Sequence, residues 1–160
     1  MNTSISDWNR VCRYIQRFNV LEQVIQSESI NYGHEYDSLQ SNCPKEYIGF
    51  INQFGFPTLY LDEDIYIQFY PQQDILQHPS YTTSFVPFAT CDLEDRVILA
   101  FQKEHNDFKV VSHEDNIILG QEGDFNYWMK RQVTYFLTQM SHFNFSEANP
   151  SYRNRMERGK

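Results

Sequence analysis

The stretch Arg96-Val97-Ile98-Leu99-Ala100-Phe101 limits what this chain can fold into more than any other. Five apolar residues follow one another without alternation, the pattern of a strand buried on both faces. An acidic turn, Asp92-Leu93-Glu94-Asp95, leads into it, and the polar Lys103-Glu104-His105-Asn106-Asp107 closes it. Phe108-Lys109-Val110-Val111 then returns beside it as the second arm of a hairpin with a longer loop. A strand hidden on both sides needs neighbours in a sheet and further layers to cover it.

The rest of the chain offers those partners. Trp8, Val11, Cys12, Ile15, Phe18, Leu21 and Ile25 recur at three- and four-residue spacing, which predicts a long amphipathic helix capped by Ser6 or Asp7, with a bend or break at Asn19 and its end by Ser27-Glu28-Ser29. A polar link from Asn31 to Gln40 follows, turning at Gly33. Pro44 suits the first turn of a second helix, whose stripe is Tyr47, Phe50, Ile51 and Phe54 and whose end is Gly55. Beyond Pro57 the period becomes extended. Residues 58–61, 65–70, 85–89, 96–101, 108–111 and 117–119 read as strands, with Pro87 at an edge or a bulge because it lacks a donor. A closing helix begins near Asp124 and carries Phe125, Trp128, Met129, Val133, Phe136, Leu137 and Met140 on one stripe. The order predicts an α+β fold, a mostly antiparallel sheet of five or six strands with N-terminal helices and a C-terminal helix packed against it. At 160 residues the chain reads as a single domain over 1–145, with 146–160 as a basic flexible tail.

Charge is uneven. The net value is −8, yet residues 18–129 hold −14, with only Lys45, Arg96, Lys103 and Lys109 as cations, while both ends are basic. Such a midsection repels nucleic acid and lipid head groups and attracts basic partners. The N-terminus lacks the basic start and apolar run of a signal peptide, and no run approaches the ~20 residues of a membrane helix. Cytoplasmic residence without membrane or nucleic-acid partners is expected. Cys12, Cys43 and Cys91 are odd in number and far apart, which predicts free thiols rather than a disulfide framework or zinc site.

Catalytic and metal-binding patterns are sparse. His113-Glu114-Asp115-Asn116 is the densest titratable cluster, but adjacent turn residues point apart, and a turn between two strands explains them. His34, His78, His105 and His142 are scattered among polar residues and read as surface or packing histidines. Neither acidic turn has the central glycine of a calcium loop. No glycine-rich phosphate loop or nucleophile elbow is present.

Two stretches resemble one family. Cys43-Pro44-Lys45-Glu46-Tyr47-Ile48-Gly49-Phe50-Ile51-Asn52-Gln53-Phe54-Gly55 resembles the Pro-x-x-Tyr-x-x-Phe helix, ending in glycine, of the SUKH superfamily, the fold of yeast cell-wall-synthesis regulators. Phe85-Val86-Pro87-Phe88-Ala89, an acidic turn and Arg96-Val97-Ile98-Leu99 are similar to that family's strand–turn–strand, and Phe108 to Glu114 to the strand with trailing His and acid. Cys43 replaces a usual leucine, and the turn at 91–95 lacks the family's glycine. The resemblance spans roughly residues 20–140. It implies a non-enzymatic domain without cofactor or metal. Most bacterial members look like immunity proteins that bind and block a co-encoded toxin, often a nuclease.

The leading expectation is therefore an immunity protein that occludes the active site of a cognate basic toxin. Its contact acids are Asp62, Glu63, Asp64, Glu94, Asp95, Glu114 and Asp115, chosen from charge and loop position, with Tyr60, Tyr66 or Tyr70 as aromatic anchors. The alternatives are a scaffold or regulatory module for an endogenous protein, and a small hydrolase using His113.

Overall fold

The computed structural model describes residues 2–61, 64–91, 97–114 and 117–140, with Asp64 and Ile65 described by their backbone alone. Among them the elements run α1 (Thr3–Gln16), α2 (Leu21–Val24), β1 (Ile25–Glu28), α3 (His34–Asn42), α4 (Lys45–Phe54), β2 (Phe56–Leu61), β3 (Asp64–Phe69), α5 (Gln72–Leu76), β4 (Phe85–Cys91), β5 (Ile98–Glu104), β6 (Asp107–Glu114), β7 (Ile117–Gln121) and α6 (Phe125–Met140). The seven strands form one antiparallel sheet in chain order, β1 to β7. The fold is α+β, as expected, with β1 added to the six anticipated strands.

The organising strand is β5. It lies between β4 and β6, and Leu99, Ala100 and Phe101 are all buried, so both of its faces are covered. Successive side chains point to opposite faces. Phe101 therefore meets the helices, stacking on Phe88 at 4.1 Å with Tyr47 at 4.9 Å, while Ala100 looks the other way, opposite Val111. On the helix side α1, α4 and α6 meet over this cluster. Trp8 packs edge-on against Phe50 and Phe69, and Phe125 and Trp128 against Phe88. Rings with centroids 4–6 Å apart and steep interplanar angles add to the area they bury. Among the described residues no helix is long and apolar enough to cross a membrane.

Local chemistry accounts for most boundaries. Asp124 Oδ1 accepts the Tyr127 N–H at 2.7 Å, capping α6. Pro44 precedes α4, and Gly55 ends it at φ +70, a conformation that favours glycine. A side chain on Gly55 would also run into the Glu28 carbonyl oxygen, so this glycine lets α4 lie against β1. Pro87 sits at a bulge where β4 pairs with β5, which spares the ladder a missing donor.

Several expectations change. α1 starts at Thr3, capped by the Asn2 side chain rather than by Ser6 or Asp7, and ends at Gln16. Asn19 then takes φ 57, so Leu21 and Ile25 belong to α2 and β1 and not to one long helix. The polar link is largely a helix, α3, held down by Tyr36 and Leu39. His113 is no turn residue: it pairs with Ile98 inside β6 and is 5 % exposed. Its ring lies 5.3 Å from Phe85, and its Nδ1 has no hydrogen-bond partner among the described residues. Residues 92–96, which hold the acidic turn and Arg96, and 141–160, which hold His142 and the tail, lie outside the described residues.

Candidate functional site

Of the seven expected contact acids, Asp62, Glu63, Glu94, Asp95 and Asp115 lie outside the described residues. The backbone of Asp64 opens β3 opposite Leu61, and Glu114 ends β6 half-buried opposite Ile117. Tyr66 is a correction. It is 5 % exposed, its ring lies 5.1 Å from Phe136, and its hydroxyl donates to the Gln132 carbonyl at 3.3 Å, so it belongs to the core and anchors no partner. Strand alternation turned it toward α6. Tyr60 and Tyr70 are half-buried.

A groove of about 400 Å³ runs between β1 and the end of α4, walled by Glu28, Ile30, Tyr32, Asn52, Gln53 and Phe54. Three neighbouring pieces build it. Ser27 Oγ donates to the Phe54 carbonyl and, with Gly55, fixes the strand beside the helix end. Gln72 then holds the chain beyond β1, donating to the Asn31 carbonyl at 3.0 Å and accepting from the Asn31 N–H at 3.2 Å. α3 supplies the third piece through Tyr36, whose hydroxyl donates to Asn52 Oδ1 at 2.7 Å.

These contacts present Tyr32. It is 67 % exposed, the most exposed of the large apolar side chains among the described residues. Its ring stands edge-on to Tyr36 at 4.9 Å, and its hydroxyl points to the same Asn52 oxygen at 3.4 Å. An aromatic side chain already held in one orientation loses little entropy when a partner covers it.

The charges that flank Tyr32 in the sequence are one-signed. Glu28, Glu35 and Asp37 are exposed, and none has an ion-pair partner among the described residues. No Lys or Arg occurs between Arg17 and Lys45. Glu35 and Asp37 sit in the first turn of α3, where the helix dipole favours them. A larger hollow, about 780 Å³, follows the outer flank of α6 past Tyr127, Lys130, Arg131, Thr134, Tyr135 and Thr138. It is opposite in sign, and Arg131 is already paired with Glu122 at 2.8 Å, so a basic partner has no reason to choose it.

Among the described residues no three of His, Cys, Asp and Glu gather closely enough to hold a metal ion. Burial pushes the Cys12 thiol up to about 11 and raises Cys43 further, which opposes a thiolate nucleophile at either. Sequence reading had the charge pattern of this region in view and missed the groove. The signal was the cation-free run itself, with a tyrosine at its centre. The chain matches no protein-family model, no curated protein and no solved structure, so what this surface does must be argued from its own geometry and charge.

Proposed function

We propose that this chain is a non-catalytic binding protein, an immunity protein that neutralises a basic, nuclease-type bacterial toxin by covering its active site. The observation that carries the reading is the groove beside Tyr32: a held, exposed aromatic ring in a groove walled by the exposed Glu28, with Glu35 and Asp37 exposed on the adjoining first turn of α3. A basic partner meets complementary potential there. Its approach is steered at rates above the neutral ~10⁵–10⁶ M⁻¹s⁻¹, and the ring supplies a buried anchor once contact is made. Sequence resemblance to SUKH immunity proteins supports the choice of a toxin as partner. Nucleases present cations to bind phosphate, so a carboxylate-rich surface competes directly for that site. A scaffold or regulatory module binding an endogenous basic protein is the second reading, and the same surface would serve it.

Co-expression separates the two. The product of the neighbouring gene should be toxic alone and harmless with this chain, and Tyr32→Ala with Glu35→Lys and Asp37→Lys should lose the rescue while folding normally. A non-toxic neighbour, or full rescue by the triple variant, would contradict the proposal.

A further inference from the structure

The end of α4 is left chemically unfinished. The last four carbonyls of a helix have no partner within it. In α4 the Ile51 carbonyl accepts the Gly55 N–H at 2.7 Å, and the Phe54 carbonyl accepts the Ser27 hydroxyl. The Asn52 and Gln53 carbonyls have no hydrogen-bond partner among the described residues. A helix C-terminus carries partial negative charge, which a Lys, Arg or His in the last turn ordinarily complements. α4 has no basic residue there, and its Lys45 stands at the opposite end, about 13 Å away. That last turn is one wall of the groove, and the other carries Glu28 and Tyr32. Glu28 is exposed, without an ion-pair partner among the described residues. No Lys, Arg or His lines the groove, so nothing along it supplies the missing cation.

We infer that the groove is a receptor for one arginine side chain of the partner, with its guanidinium over the Tyr32 ring and bonded to the Glu28 carboxylate and the α4 carbonyls. The inference rests on the reading of this surface as a site for basic partners, and it names the group that is bound. Three features favour arginine. The Tyr32 ring is already fixed, edge-on to Tyr36 at 4.9 Å, and exposed enough to be covered, and a cation over a tyrosine face is attracted by its quadrupole. The acceptors are of mixed kind, one carboxylate and two neutral carbonyls. A guanidinium stacks on a ring and donates five N–H bonds outward from one plane, whereas an ammonium is a compact, strongly hydrated charge. Ile30 and Phe54, both half-buried, offer apolar surface to the side-chain stem, and a groove of about 400 Å³ has room for it.

Titration of the intact protein with Nα-acetyl-arginine amide, followed through its amide NMR shifts, tests this without any toxin. The expected result is saturable shifts at Glu28, Tyr32 and Asn52 to Gly55, with a dissociation constant on the order of 1 mM for so small a ligand. Binding should weaken as salt rises. The citrulline analogue keeps the shape and loses the charge, and should bind about tenfold more weakly; the lysine analogue should fall between the two. Tyr32→Ala and Glu28→Gln should each weaken arginine binding about three- to fivefold, whereas Tyr135→Ala on the α6 flank should leave it unchanged. The amide spectra themselves show that each variant folds. Equal binding of the citrulline analogue, shifts gathered elsewhere, no saturable shift at tenfold above that constant, or wild-type binding in both groove variants would overturn the inference. Loss of arginine binding removes the receptor and leaves the immunity reading to co-expression, whereas arginine binding by a chain that rescues from no toxin keeps the receptor and retires that reading.

Discussion

Replacing Tyr47 by phenylalanine should stabilise the protein, against the usual direction for a core substitution. The ring is fully buried, edge-on to Phe88, Phe101 and Phe125 at 5.7, 4.9 and 5.6 Å, and its hydroxyl has no hydrogen-bond partner among the described residues. Burial raises its pKa well above the ordinary phenol value, with the nearby Cys43 adding to the rise, so the group stays a neutral hydroxyl at physiological pH. Desolvating a hydroxyl without a partner costs ~1–3 kcal/mol, whereas a satisfied one contributes ~0.5–1.5 kcal/mol net. Removing the oxygen leaves every ring contact in place and a gap smaller than a water molecule. The expected gain is therefore about 1 kcal/mol, a rise of ~2–4 °C in Tm for a chain of this size. Urea unfolding measures it as a shift in midpoint at constant slope. Phe88→Ala, which removes the ring stacked on Phe101, should cost ~3–5 kcal/mol in the same assay. A loss of ~1 kcal/mol in Tyr47→Phe would mean that the hydroxyl is satisfied, and the reasoning would fail.

Other outcomes follow from the same geometry. Gly55→Ala should destabilise by at least ~2 kcal/mol, because it adds positive-φ strain to a clash with the Glu28 carbonyl, and thermal melting will show it. Cys12, Cys43 and Tyr47 all have pKa values raised by folding, so their stabilising contribution is complete below the unfolded values near 9 and 10 and is lost as pH rises above them. Unfolding free energies measured from pH 8 upward should fall, and Cys43→Ala should flatten the slope. His78 behaves oppositely: burial, then the neighbouring His113, lowers its pKa below 6.5, so stability should drop as pH falls through that value, and less so in His78→Gln.

What the sequence disclosed, and what it hid, follows the strength of local signals. α4 was legible because Pro44 and Gly55 punctuate a clear stripe, and β5 because an unbroken apolar run has few other uses. α3 was not, because only Tyr36, Leu39 and the following Cys43 tie it to the core and the rest is polar. β1 was masked by Ile25, which continues the helical spacing of α1, while Asn19 had already broken the helix at positive φ. His113-Glu114-Asp115-Asn116 reads as a turn because strands rarely bury such residues, yet β6 runs on to Glu114 and buries His113 opposite Ile98. For the site, the run without Lys or Arg on either side of Tyr32 is readable from the sequence. The groove was not, since it joins residues 27–32 to 51–55 across a helix and a strand edge.

The association rate between this chain and the toxin proposed as its partner, followed against ionic strength, tests the central claim most directly. The wild type should bind fast at low salt and slow steeply as salt rises. Glu28→Lys with Glu35→Lys and Asp37→Lys should remove that dependence, and Tyr32→Ala should raise the dissociation rate by ~30-fold, the effect of losing a ~2 kcal/mol anchor. Wild-type rates and salt dependence in all of these variants would contradict the account.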